Sequence, residues 1–166
     1  MPKKIAYLNL LINKEYMRQI ILVGVGSFLG GIARYISTLV INQKLNTNFP
    51  YSTLSINIFG CLLIGIVYGI FEKSIITSDW KLFLATGICG GFTTFSAFSN
   101  ESLDLLKQGN TLGMLTYIGV SILFGLLATY LGYWVVKSSC WLFFLGFNFC
   151  FSFCLCLIRF RLNLLF

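Results

Sequence analysis

Apolar residues fall along this chain in long runs, not in the two-residue or 3.6-residue alternation of a half-buried strand or a surface helix. The runs cover about residues 20–41, 52–71, 80–106 and 111–136. Each reaches the roughly 20 residues that a helix needs to cross about 30 Å of hydrocarbon. Polar connectors at 42–50 and 72–79 separate the first three, so the pattern predicts an all-α membrane protein with four transmembrane helices.

The runs differ internally. The first is rich in glycine (Gly24, Gly26, Gly30, Gly31), as is the second (Gly60, Gly65, Gly69), at spacings that let helix backbones approach closely. The third reads Gly87-Ile88-Cys89-Gly90-Gly91-Phe92-Thr93-Thr94-Phe95-Ser96 at its middle, where a span should be most regular. Three glycines within five residues, followed by hydroxyls, predict a helix broken at its centre whose freed carbonyls face protein, water or an ion. The fourth run is more regular and carries Tyr117, Ser121 and Thr129.

Two flanks complete the chain. Residues 1–18 hold Lys3, Lys4, Lys14 and Arg18 around a poor apolar stretch, with no small-residue cleavage site, so they form a basic extension and not a signal peptide. Beyond the core at 19–137, residues 138–166 are a Phe-rich hydrophobic tail. Its stretch 140–158 is uncharged and long enough for an extra C-terminal hydrophobic helix, closed by Arg159 and Arg161.

Composition agrees with lipid as the solvent. Of 166 residues 57% are hydrophobic and 10% charged, against roughly 45–50% and about 25% in soluble domains; the mean hydropathy is +0.85. Histidine is absent, which removes imidazole bases, Ser-His-Asp triads and His-containing zinc sites. Hydrolytic and zinc chemistry are therefore not expected. The net charge of +7 comes from scattered Lys and Arg with no basic stripe, so it speaks for membrane orientation and not for nucleic acid. With the N-terminus inside, the core places Lys73, Lys81 and Lys137 inside and Lys44 and Lys107 outside. The basic extension favours an inside N-terminus, and a crossing tail would blunt that bias. Near balance permits both orientations and hence an antiparallel homodimer. The six cysteines lie in apolar runs without a matching second ligand pair and read as inert thiols.

Several polar residues stand at membrane depth. Arg34 lies deep in the first span, where a cation costs roughly 2.5–3.5 kcal/mol on insertion scales, so it either faces a wet or paired site or snorkels to the nearer surface. Asn57 is either a helix–helix hydrogen bond or a donor to a dehydrated anion. Phe92, Phe95 and Phe98 have the ordinary reading of core or lipid-facing rings. Phe95 and Phe98, however, follow the break among hydroxyls, and a phenyl edge is positive, so it can meet an anion while repelling cations. Thr94, Ser96, Ser121 and Thr129 could replace lost hydration. The carbonyls of Gly90 and Thr93 suit an alkali cation, although two alone cannot complete a shell; a symmetry mate would supply two more.

These residues also carry a family resemblance. The strings Gly26-Ser27-Phe28-Leu29-Gly30-Gly31-Ile32-Ala33-Arg34-Tyr35, Thr53-Leu54-Ser55-Ile56-Asn57-Ile58-Phe59-Gly60 and, above all, residues Gly87 to Glu101 resemble the fluoride-specific ion channel family, the CrcB or Fluc proteins. The resemblance covers about residues 20–137. It implies an antiparallel, dual-topology homodimer in the bacterial inner membrane, with two pathways that let cytoplasmic fluoride leave passively. It further implies that Phe95 and Phe98 line the pathways, that Asn57 gives an amide donor and that Arg34 stands near a vestibule. Gly90 and Thr93 would offer carbonyls to a structural, non-transported Na+ at the dimer centre; Glu101 would lie near the pathway, with Ser121 and Thr129 on a polar track. Ser52 and Gly31 replace the more usual Gly and Ala, and the tail has no counterpart. The competing reading is an exporter like the small multidrug-resistance dimers, which need a carboxylate in the first span where this chain has Arg34.

Overall fold

The computed structural model describes residues 14–162 apart from 46 and 48, with side chains over 15–138. Most of the basic extension expected over 1–18 therefore lies outside the described residues; its last residues belong to the first helix. Among the described residues regular structure is entirely helical. In chain order these are α1 (Lys14–Lys44), α2 (Tyr51–Glu72), α3 (Ser78–Lys81), a π-helical segment (Leu82–Cys89), α4 (Gly90–Phe92), α5 (Phe95–Lys107) and α6 (Thr111–Leu162). Among the described residues four stretches are long and apolar enough to cross a membrane: Glu15–Lys44, Tyr51–Glu72, Ser78–Lys107 and Thr111–Ser138.

The turns are built from the sequence locally. α5 ends in Gly109 at φ 76°, with the Gly109 N–H on the Leu106 carbonyl and the Asn110 N–H on the Leu105 carbonyl. That double bond is the Schellman arrangement, which favours a residue without Cβ strain. Asn110 then caps α6 by accepting from the Gly113 N–H at 2.9 Å. The end of α2 repeats the pattern with Ser74 at φ 56°.

Packing explains the glycines. A Cβ on Gly26 would sit 2.8 Å from the Gly87 Cα, one on Gly30 2.2 Å from the Ile88 carbonyl oxygen, and one on Gly91 2.5 Å from the Ser27 carbonyl oxygen. α1 thus lies backbone-to-backbone on the π segment and α4. The second seam joins α2 to α6, where a Cβ on Gly65 would sit 2.1 Å from the Thr129 carbonyl oxygen and one on Gly132 2.3 Å from that of Leu62. Gly87, Gly90 and Gly91 are therefore helical residues, Gly87 and Gly91 serving close approach, and the helix does not come apart at them. The departure from helix falls just beyond, at Thr93 (φ −83°, ψ 154°) and Thr94 (φ −147°, ψ 115°).

One end of the bundle is tied by charges. Arg18 pairs with Asp79 at 3.0 Å, the Tyr133 hydroxyl donates to Glu72 at 2.7 Å, and the Lys81 ammonium stands over the Phe71 and Tyr68 rings. Lys73 donates to the carbonyls of Val136 and Lys137 on α6. α6 runs 52 residues without interruption, through residue 138 where the tail is expected to begin.

Candidate functional site

The site is assembled from what the Thr93–Thr94 extension does to hydrogen bonds. In a continuing helix the Gly90 carbonyl would receive the Thr94 N–H and the Thr93 carbonyl the Ala97 N–H. Here the Thr94 N–H goes to Asn57 Oδ1 at 2.9 Å, and the Ala97 N–H goes to Thr94 Oγ1 at 3.3 Å, the N-cap of α5. The Thr93 N–H and hydroxyl both go to the Cys89 carbonyl, each at 3.0 Å. The carbonyls of Gly90 and Thr93 are thereby released from the ladder.

Asn57 holds the interruption open. Besides accepting from Thr94, its Nδ2 donates to the Thr94 carbonyl at 3.1 Å, so one primary amide answers both backbone groups of an extended residue as a neighbouring strand would. That uses one of the two amide hydrogens. The other remains for a ligand.

Around this clasp lies an open cleft of about 310 Å³. It is lined by Asn57, Gly90, Thr93, Thr94, Phe95, Phe98 and Ser121, with Cys61 and Cys89 at its wall. The Phe95 ring is 79% exposed, an unusual state for the largest apolar group at the start of a helix. Its centroid is 5.6 Å from that of Phe98, which in turn stands 5.1 Å from the fully buried Tyr117 ring. Across the cleft the Ser121 hydroxyl is buried and has no hydrogen-bond partner. Thr94 Oγ1 and Ser96 Oγ are 3.2 Å apart at the rim. The cleft thus combines unspent donors, ring edges and two freed carbonyls.

A second cavity of about 260 Å³ opens on the other side of Thr94 and is lined by Arg34, Tyr35, Thr38, Thr53 and Glu101. Arg34 and Glu101 share it without an ion pair, and Arg34 Nε is buried without a partner. Glu101 is satisfied instead by hydroxyls: Thr53 Oγ1 donates to Oε1 at 2.6 Å and the Tyr117 hydroxyl to Oε2 at 2.7 Å.

The structure brings most of the sequence candidates to these two cavities. Thr129 and Ser96 are the exceptions, lining neither: the Thr129 hydroxyl bonds back to the Gly125 carbonyl at 3.1 Å, and the Ser96 hydroxyl pairs with that of Thr94. Glu101 and Arg34 belong to the second cavity. Two residues to which the sequence assigns no role, Thr53 and Tyr117, are the donors to Glu101. The signal for them is physical: a carboxylate at membrane depth needs donors from its neighbouring spans.

Comparison with known proteins places the chain among related sequences. The family described as "CrcB-like protein, Camphor Resistance (CrcB)" matches residues 21–133. A protein of Flavobacterium psychrophilum named "Fluoride-specific ion channel FluC" is 48% identical over 123 residues, covering 74% of this chain and 99% of that protein. Proteins of the same name from Phocaeicola vulgatus and Methylobacillus flagellatus are 44% and 43% identical, covering 72% and 74% of this chain and 98% of each relative.

Proposed function

The chain belongs to the CrcB family, and from that premise and the cleft at Thr93–Thr94 we propose that it is a fluoride-specific ion channel, a multi-pass protein of a bacterial membrane that lets cytoplasmic fluoride leave passively. The observation that carries this reading is the exposed Phe95 ring beside Asn57 and the unpartnered Ser121 hydroxyl in one cleft. Fluoride is small and strongly hydrated, so a route for it must offer hydrogen-bond donors in place of water. Asn57 gives its second amide hydrogen, Ser121 its hydroxyl, and the Thr94–Ser96 pair a further hydroxyl proton. Phe95 and Phe98 present positive edges that favour an anion and reject cations. Arg34 in the adjoining cavity draws anions toward the same clasp from the other side of Thr94.

The working unit is an antiparallel, dual-topology homodimer. On a single subunit Thr86, Gly90, Phe95 and Ser96 are exposed near the middle of the third span. Hydroxyls and backbone turned to acyl chains would each cost several kcal/mol, which a second copy removes. The released Gly90 and Thr93 carbonyls have the hard-oxygen chemistry that a sodium ion takes, and with the same pair from a partner they would hold one on the two-fold axis. When bound, that ion supplies a fixed positive charge that ties the two interrupted spans together.

Cation export on the multidrug pattern is disfavoured because residues 19–43 contain no carboxylate and one charge, Arg34. In purified proteoliposomes the chain is expected to pass fluoride and not chloride, with efflux suppressed when a bulky organic cation replaces sodium on both sides. Equal chloride efflux would overturn the reading. Phe95→Ile, at a ring that a single subunit leaves exposed, is expected to slow fluoride efflux at least about tenfold, equivalent to about 1.4 kcal/mol, with unchanged folded yield.

A further inference from the structure

The relatives align over 98–99% of their own length yet over only 72–74% of this chain, and the family match ends at residue 133. The C-terminal segment beyond that match is additional to the channel unit, and its backbone is the continuation of α6 to Leu162. A straight helix of 52 residues is about 78 Å long, more than twice the hydrocarbon thickness of about 30 Å. Residues 139–162 would project about 36 Å beyond Ser138. The stretch 140–158 has no charged residue and six phenylalanines, so a projecting rod of it in water would expose a continuous apolar surface.

The level at which the membrane ends is marked on α6 itself. Tyr133 bonds Glu72, the Lys137 ammonium stands 5.5 Å from the Tyr133 ring centroid, and Trp134 and Trp80 are both exposed at this end of the bundle. Aromatic and charged residues of this kind sit at the headgroup level. The same few residues carry features that bend helices. Lys73 inserts its ammonium on the Val136 and Lys137 carbonyls, which are the acceptors for the next turn, and the Ser138 hydroxyl bonds back to the Trp134 carbonyl at 2.8 Å. Ser138 and Ser139 are adjacent. A side chain bonded to ladder carbonyls and a hydroxyl bonded back to the preceding turn both make a helix easier to bend.

We infer that in a bilayer, where the continuous 52-residue α6 is too long to lie as one span, the helix gives way at Lys137–Ser139, where Lys73 clasps it, and that residues 140–158 re-enter as a fifth span whose partner is lipid acyl chain, setting the C-terminus on the face opposite the N-terminus. Arg159 and Arg161 then stop the segment at the far headgroups. The inference goes beyond the channel reading and does not depend on it, because its test reads topology alone.

The test avoids any assumption about orientation. An epitope behind a specific protease site is placed at each terminus, the protein is reconstituted in sealed liposomes, and the protease is added outside. With five spans every copy, whichever way it inserted, has one terminus outside and keeps one epitope. Capture through the N-terminal epitope, carried out after SDS has separated the subunits of the dimer, should then recover no C-terminal epitope after digestion, while undigested vesicles give both on every copy and digestion in detergent gives neither. Recovery of copies that retain both epitopes would overturn the inference, because it would put the termini on one face, whether the tail projects into water or lies along the surface.

Discussion

Asn57→Asp is expected to lower fluoride efflux by about 100-fold, close to 2.7 kcal/mol on the barrier, while folded yield stays near that of the parent. A protonated aspartic acid repeats both bonds of the clasp, accepting from the Thr94 N–H and donating to the Thr94 carbonyl, so the interruption of the third span keeps its support. What disappears is the second amide hydrogen, the one Thr94 does not use. A hydrogen bond to a charged partner is worth about 1.5–3 kcal/mol, and in a dehydrated cleft no water replaces it. If the aspartate ionises, it adds a negative charge beside the Thr94 carbonyl and repels the permeating ion. Efflux assays on protein matched for quantity by size-exclusion chromatography separate the outcomes. Efflux within threefold of the parent would mean that Asn57 serves the backbone alone; loss of efflux in step with folded yield would assign it the same purely structural part.

The clasp also divides what is legible in the sequence from what is not. Four runs of apolar residues specify four helices because a bilayer leaves few alternatives, and the hydroxyl-rich centre of the third run marks it as irregular. The cause of the irregularity is hidden. Gly87, Gly90 and Gly91 look like helix breakers in one dimension, yet at Gly87 and Gly91 the missing side chain is what admits α1. Thr93 and Thr94 leave the helix because Asn57, 37 residues away in sequence, answers the Thr94 backbone. Long-range pairing of that kind has no periodicity to betray it. The same holds for Glu101, whose donors Thr53 and Tyr117 come from two other helices. Thr129 carries the same hydroxyl signal as the cleft residues, but on a helix a threonine can satisfy itself on the preceding turn. The stretch 140–158 is legible as apolar and uncharged.

The geometry at Asn57 survives only while α1 stays pressed on the segment that precedes it, and Gly30→Ala tests this. The new Cβ would stand 2.2 Å from the Ile88 carbonyl oxygen and 2.9 Å from the Phe92 nitrogen, both backbone atoms that no rotamer change can move aside. α1 must therefore separate from α4 by an ångström or more, and the displaced α4 ends one residue before Thr93. Overpacking of this kind typically costs about 1–3 kcal/mol. Here it falls on a seam made of glycine contacts along its length, so Gly26 and Gly91 lose their partners along with Gly30. Gly31→Ala is the matched control, because in the subunit its Cβ would meet nothing within 4 Å. Gly30→Ala is expected to lower the midpoint of thermal unfolding in detergent by several degrees and to abolish efflux in whatever folded protein remains, since the released carbonyls and the clasp shift with α4. Equal stability of the two variants would mean that α1 and the third span are not in backbone contact, and the arrangement of the cleft would have to be rebuilt from that point.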